Sequence, residues 1–507
     1  EALRLGCEAF ASDLNPVACL ILKTLLEDIP RFGSAEFKLP GTDGKEVVVH
    51  GLADALRHVG KQVKEAAEKE LAKFYPPEPD GSCPIAYLWA RTVRCEGIGC
   101  GAEIPLVRSL WLSTKAGRHR ALRFQAERST KGPPELKVEI FQPKAVNEVA
   151  AGTVTRANAT CICCRTVLPA ERVRTQLAAE HGGADVRFDR EGRRAGGAML
   201  LAVCINVPGD SARNYRLAKQ SDYEAVRKAQ FAVSKRSTDV PNEPSPIGGG
   251  SGAGRAFSVR RYGMDTFGDM FTARQKLSLA VASQQIRALP QSNSAQQAVK
   301  ELAAVALSRI ADISNALCSW KASMSQVIHL FTRQAIPMVW DFTEANFLGR
   351  CAGDLEITIA NMARVVAGMP AEMRHGQVQQ ANAKQSPLPD SSVAVWFTDP
   401  PYYDAVPYAD LSDFFFVWLK RVLPGHALLR DPNDPANPLT PKTAELVQDE
   451  TKQFEGRPKD QKFFEDGVGV VFHEGRRVLR DGGIGCVVFA HKSTEGWEAL
   501  LSGMISG

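Results

Sequence analysis

The pattern of apolar and polar positions changes character several times along the chain. Glu1 to Leu5 reads as the end of a helix stopped by Gly6, and Cys7 to Ser12 as a short buried strand ending at Asp13. Asn15-Pro16 starts the next helix, expected over Val17 to Leu26, which makes this opening a helix-strand-helix piece of an α/β unit. A longer helical stretch, Gly51 to Phe74, stops at the breaker Pro76-Pro77. From Arg91 to Gln142 the pattern turns to short β-prone runs, Ile104 to Ser113, Arg120 to Ala126 and Leu136 to Phe141, separated by Gly, Pro and Lys. Pro241 to Gly254 contains Gly248-Gly249-Gly250-Ser251-Gly252, but no strand precedes it and no Lys-Ser/Thr follows, so it predicts a connector and not a phosphate loop. Two long helical stretches come next, Phe267 to Leu289 and Ala295 to Phe331. Gly376 to Gly507 then returns to α/β alternation. It predicts an apolar strand Val393 to Thr398, buried and central in a parallel sheet, helices near Leu411 to Val422 and Phe463 to Leu479, and a strand Ile484 to Ala490.

α/β material at both ends thus flanks a long insertion. The expected division is 1–30 and 376–507 as the two parts of one α/β domain, 31–90 as a helical connector, 91–170 as a cysteine-bearing β module and 171–375 as a basic and helical inserted region. The chain opens in a helical pattern with no cap before Glu1 and reads as part of a longer protein. Its 44% apolar and 23% charged residues are ordinary for a globular protein, and no apolar run reaches the roughly 18–20 residues that span a bilayer. A cytoplasmic protein without a membrane partner is expected.

Charge changes this picture more than composition does. The formal net charge is +5, yet Arg91 to Arg236 holds 26 Lys or Arg against 14 Asp or Glu, so this stretch carries +12 and the remainder −7. Such a concentrated basic segment suits phosphate neutralisation, and nucleic acid is the expected partner.

The strongest chemical signal is Asp399-Pro400-Pro401-Tyr402, which follows the five apolar or aromatic residues Val393 to Phe397. In open α/β sheets the ligand crevice lies just beyond the carboxyl ends of the strands. An exocyclic amino group on a nucleobase is a poor nucleophile because its lone pair is delocalised into the ring. Hydrogen bonds from that amine to the Asp399 carboxylate and to the Pro400 carbonyl favour a pyramidal nitrogen with its lone pair outward, in a turn stiffened by two prolines. Tyr402 offers a face for stacking on a base swung out of a duplex.

Twelve cysteines are too dilute for a disulfide scaffold, but Cys95-x4-Cys100 and Cys161-x2-Cys164 form two close pairs, each able to hold one side of a tetrahedral metal ion, with the intervening strands expected as the arms of a ribbon. The sixty residues between the pairs exceed the usual gap of about 15–20. Cys163 is an alternative ligand with a less usual spacing, and buried free thiols are the competing reading.

Glu1-Ala-Leu-Arg-Leu-Gly with Ser12-Asp-Leu-Asn-Pro-Val-Ala18, Tyr87 to Cys95, Arg333 to Asp341, Thr398 to Asp404, Tyr408 to Phe414 and Phe489 to Lys492 together resemble the zinc-ribbon-containing adenine-specific DNA methylases, in one order across nearly the whole chain. The resemblance implies a Rossmann-like fold dependent on S-adenosyl-L-methionine (AdoMet), incomplete here at both ends and carrying the zinc ribbon and helical region as an insertion. It implies Asp399, Pro400, Pro401 and Tyr402 as catalytic residues, and a structural Zn²⁺ on Cys95, Cys100, Cys161 and Cys164. Asp13 matches the acidic residue that takes the cofactor ribose hydroxyls, with Asn15 beside it. The implied substrate is double-stranded DNA with one base flipped out. Adenine N6 is preferred by resemblance alone; cytosine N4, an RNA amine, or a nucleic-acid-binding subunit without methyl transfer are the alternatives. A Gly-rich cofactor loop would belong before Glu1, so this stretch alone is expected to bind AdoMet weakly, with a gap between the strands ending at Asp13 and Thr398.

Overall fold

The computed structural model describes residues 1–41, 45–127, 132–210, 212–249, 252–370 and 373–507. Gly250 and Ser251 of the expected connector, and Arg128 and Lys131 of the basic stretch, lie outside the described residues.

In chain order, the elements that position the site are β1 (Phe10–Asp13), α1 (Pro16–Lys23), α2 (Leu52–Leu71), β2 (Cys83–Arg94), β3 (Glu103–Leu106), β4 (Met199–Asn206), β5 (Arg213–Arg216), α3 (Ala273–Arg287), α4 (Ser294–Ile313), β6 (Asp341–Ala345), α5 (Leu355–Ala367), β7 (Gln377–Gln380), β8 (Val393–Thr398), α6 (Tyr408–Val422), α7 (Gln461–Val478), β9 (Leu479–Val487) and α8 (Thr494–Ser506). The architecture is mixed α/β, with several small sheets.

The largest sheet is antiparallel, in the order β5-β4-β2-β6, with β3 also paired to β2. Strand β2 is buried on both faces because its alternate residues serve different cores: Tyr87 and Trp89 face the helical layer, while Ala86, Leu88 and Ala90 face a second cluster with Leu112 and Leu122. It also crosses the division expected at Arg91. The helical layer is built from α2 to α6. In α2 the buried residues Leu52, Ala55, Leu56, Val59, Val63, Ala67 and Leu71 recur at helical spacing, and Gly60 permits close approach to α5, since a Cβ there would meet Ile359 at 2.5 Å.

Helix α3 starts at a reciprocal cap in which Gln275 N donates to Thr272 Oγ1 and Thr272 N donates to Gln275 Oε1. The stretch expected to be helical from Phe267 therefore begins at Ala273, after a short turn over Phe267–Met270. Helix α4 also departs from expectation. It ends at Ile313 and not at Phe331, because Asn315 Nδ2 donates back to Ala311 O and Asp312 O while Asn315 Oδ1 accepts from Leu317 N. The remainder folds as the hairpin Ser319–Lys321 and Gln326–Ile328.

Two parallel pairs stand apart from the antiparallel sheet, β1 with β7 and β8 with β9. Among the described residues no ladder joins these pairs to each other, and they do not form one continuous parallel sheet. The strand expected to be central and buried, β8, is covered on one face only. Trp396 packs edge-on to Phe472 of α7, whereas Val395 is 59% exposed, Phe397 62% and the neighbouring Ile484 66%. Helix α6 is held far more firmly: Phe414, Phe416, Val417, Trp418 and Leu419 are buried, each contributing roughly 1.5–3 kcal/mol if aliphatic or Phe, and Phe271 stacks on Phe414 at 5.5 Å. No helix of the described residues is long and apolar enough to cross a membrane.

Candidate functional site

The tetrapeptide leaves β8 beside β9, where Val488 N donates to Thr398 O across 2.9 Å. Asp399 is exposed, Pro400 buried, Pro401 and Tyr402 half-buried. The chain then turns tightly, with Tyr403 N donating to Pro401 O (2.9 Å) and Ala405 N to Tyr402 O (2.8 Å). Tyr403 takes φ +47°, a left-handed conformation costing a side-chain-bearing residue roughly 1–2 kcal/mol. Packing holds it there. The Tyr403 ring is buried edge-on to Phe464 at 5.2 Å, and its hydroxyl donates to Glu495 Oε1 at 3.1 Å. The Tyr402 ring lies edge-on to Phe489, centroids 5.8 Å apart. Burial, and then the neighbouring Tyr402, push the Tyr408 hydroxyl up to about 12, so Tyr408 stays a neutral hydrogen-bonding group beside this turn.

Asp13 ends β1, and its Oδ1 accepts from Asn15 N at 2.8 Å. The carboxylate is accessible on its own surface yet crowded by surrounding atoms, and this desolvation raises its pKa against the bonds from Asn15 and Leu14. Asn15 Oδ1 caps α1 by accepting from Val17 N, while Asn15 Nδ2 donates to Ser412 Oγ of α6 at 2.6 Å. Since α6 starts six residues after Tyr402, this bond ties the turn after β1 to the helix after the tetrapeptide. Both expected groups thus sit at carboxyl ends of parallel strands and share one helix.

Sequence reasoning missed the residues that brace this loop. Glu445 Oε1 accepts from Ala409 N at the start of α6, and Gln448 N donates to Tyr403 O at 3.0 Å. Burial pushes Glu445 up to about 7 and the wholly buried Lys459 down to about 8, so both move toward their neutral forms. Asp404 Oδ1 lies 3.2 Å from His491 Nε2. His491 lies in the stretch Phe489 to Lys492 that carries the resemblance, but it is a single histidine without partner spacing, and nothing local marks its partner 87 residues away.

The four expected thiols, Cys95, Cys100, Cys161 and Cys164, lie together with all Sγ atoms within 4.8 Å, close enough to hold one metal ion. Sγ separations of 3.5 Å for Cys95–Cys164 and 3.7 Å for Cys100–Cys161 approach the ~3.8 Å edge of a tetrahedron with metal–sulfur bonds of about 2.3 Å, so the donor set fits an ion such as zinc. Cys163 is outside the cluster. Gly97 N donates to Cys95 Sγ at 3.3 Å, and a Cβ on Gly97 would meet Thr166 Oγ1 at 2.8 Å and Cys164 Sγ at 3.2 Å. Hydrogen bonds from the Thr166 side chain and amide hold the Cys164 thiol down to about 6.

One half of the cluster is the turn between β2 and β3, closed by Cys95 N donating to Ala102 O; the other lies between Asn158–Thr160 and Val167–Leu168. The strands 111–141, expected as the ribbon's arms, instead make a separate three-stranded antiparallel sheet, because their inner residues Leu112 and Leu122 pack into the second core. The basic stretch also spends some of its charge internally. Arg91 is buried and donates to three backbone carbonyls, Arg194 pairs with Glu103, and Arg216 with Glu78 and Asp222. No family model matches the sequence, and neither a characterised protein nor a solved structure matches it significantly.

Proposed function

We propose that this chain is an AdoMet-dependent methyltransferase acting on an exocyclic amino group of DNA, adenine N6 by preference. The observation that carries the reading is the convergence of Asp13 and the Asp399 loop on one helix through the Asn15–Ser412 bond. The two parallel pairs, each with a polar group at its carboxyl end, support a Rossmann-like arrangement around that point.

The residues present fit the cofactor at its ribose end, where the accessible Asp13 carboxylate would accept from vicinal hydroxyls. When bound, AdoMet supplies an electrophilic methyl group. The chain's own residues would orient the target: Asp399 and the Pro400 carbonyl would accept the two amine hydrogens, and Asp399 would hold the proton the amine releases. Tyr402 stacks on the extruded base, and Phe489 fixes its ring. Cys95, Cys100, Cys161 and Cys164 would hold a structural Zn²⁺, which would leave no open position for catalysis and would fix the fold of the basic module that faces DNA phosphates.

Nucleoside mass spectrometry of duplex DNA incubated with AdoMet and the protein tests this reading. N6-methyladenine is expected. N4-methylcytosine or a methylated RNA nucleoside would reassign the substrate, and salt-sensitive DNA binding without any methylated product would make the protein a binding subunit. Asp399→Ala should lower methyl transfer by about 10²-fold or more with DNA affinity retained, the size usual for preorganised hydrogen-bonding groups. Tyr402→Phe should be mild and Tyr402→Ala severe; equal loss would show that the hydroxyl matters and stacking does not.

A further inference from the structure

We propose that His491 is a positioning residue for the tetrapeptide loop, acting through Asp404; its effect on catalysis rests on the methyltransferase reading, whereas its effect on the loop does not. Asp404 lies two residues beyond Tyr402, and its carboxylate is shared. Oδ1 is 3.2 Å from His491 Nε2, and Oδ2 is 3.5 Å from Arg255 Nη2 of the inserted Gly-rich segment. The His491 side chain is 4% exposed and wedged between the two loops that follow β8 and β9. Its ring meets Tyr403 edge-on at 5.7 Å and stacks on Phe489 at 6.3 Å, and Phe489 in turn meets the Tyr402 ring. Its carbonyl accepts from Trp497 Nε1 at 3.0 Å.

The hydrogen bonds assign the tautomer. Ser493 N donates to His491 Nδ1 at 3.2 Å, and Ser493 Oγ lies 2.9 Å from the same nitrogen. Nδ1 is therefore the acceptor, and Nε2 carries the proton that goes to Asp404. Ser493 also caps α8, its Oγ accepting from Gly496 N, so it serves as a brace and is not poised as a nucleophile.

The need for such a brace comes from Tyr403. Its left-handed φ persists only while surrounding contacts over-determine it. Removing the Nε2–Asp404 bond frees the turn to relax, which moves Tyr402 off Phe489 and misdirects Asp399. A glutamine at 491 places an amide N–H near the Nε2 position, whereas phenylalanine keeps the ring contacts and loses the donor.

Two measurements test this on the full chain. Amide hydrogen exchange needs no cofactor: Tyr403 and Ala405, whose N–H groups close the turn, should exchange about tenfold faster in His491→Phe and Asp404→Asn, with α7 unchanged and His491→Gln close to wild type. In the methyl-transfer assay, His491→Phe should lower kcat by about 10- to 100-fold with KM for AdoMet within about threefold, and His491→Gln should recover most of the loss. Unchanged exchange in His491→Phe, or equal exchange in His491→Phe and His491→Gln, overturns the proposal whatever the activity. The expected exchange pattern in a wild-type protein that methylates nothing upholds the positioning role and sinks the methyltransferase reading alone.

Discussion

The Asn15 carboxamide donates to the Ser412 hydroxyl across 2.6 Å, joining two residues 397 positions apart. One end caps α1 directly after Asp13; the other lies on α6, whose aromatic face is buried in the main core. The bond therefore anchors the accessible end of a short two-stranded sheet to a helix buried in the main core.

Ser412→Ala removes this link and no helix cap, so it should cost under about 1 kcal/mol in stability. If Asp13 and Asp399 serve one site, the same change should weaken methyl transfer by about tenfold, a misalignment effect that outweighs its stability cost. Thermal unfolding and initial rates on the same preparation separate the two. A rate loss no larger than the stability loss implies would mean that Asn15 is only a cap.

The cysteine cluster predicts one zinc per chain by elemental analysis. Cys164→Ser and Cys95→Ser should lose the metal, whereas Cys163→Ser should keep it, because only the first two place Sγ within the cluster. Gly97→Ala should weaken metal retention, since its Cβ would press on Thr166 and Cys164. Zinc kept in Cys164→Ser but lost in Cys163→Ser would reverse the ligand assignment.

These features were legible in the sequence because their signals are local. Asn15-Pro16 announces a cap within three residues, each cysteine pair lies on one turn, and the tetrapeptide directly ends its strand. The central strand β2 was not legible, because its partners Met199–Asn206 and Asp341–Ala345 lie roughly 110 and 250 residues downstream and no local pattern encodes that pairing. The run Val393 to Phe397 misled for a related reason. An apolar run fixes the strand but cannot say whether both faces are covered, and here only the Trp396 side is. The helix expected to reach Phe331 fails at Asn315, whose side chain competes for the carbonyls that would continue it.

Arg274 of α3 and Glu344 of β6 form a two-pronged pair, 2.8 Å on each prong, with both side chains fully buried. Trp89 Nε1 donates to Glu344 Oε2 at 2.9 Å, and the guanidinium lies 3.8 Å from the Tyr87 ring centroid. Burial alone would depress the arginine, but Glu344 more than offsets it and holds the charge in place. Glu344→Gln leaves that charge unpaired and should cost about 3–5 kcal/mol, whereas Arg274→Met with Glu344→Leu should recover most of the loss. Chemical denaturation gives the comparison. A cost below about 1 kcal/mol for Glu344→Gln would mean that water reaches the pair.

A second buried network should make stability depend on pH. Lys23 Nζ bridges Asp28 Oδ1 (2.7 Å) and Glu301 Oε2 (2.6 Å), and Glu301 Oε1 also accepts from Gln297 Nε2 and lies 2.9 Å from His426 Nε2. The two carboxylates diverge. Burial opposes ionisation of both, but bonds from His426, Lys23 and Gln297 bring Glu301 down to about 2. Asp28 has Lys23 alone, faces the Glu301 charge and leaves Oδ2 buried without a partner, so burial pushes it up to about 7. A carboxyl raised above its unfolded value of 3.8 contributes stability that is fully present below that value and lost as pH rises through about 7. Asp28→Asn cannot ionise and escapes the loss. The stability of Asp28→Asn relative to wild type should therefore increase by about 1–2 kcal/mol between about pH 5.5 and pH 8.5, with most of the rise below about pH 7 and a plateau above it. Parallel stability curves across that window would show that Asp28 is already ionised at pH 5.5 and that Lys23 outweighs burial.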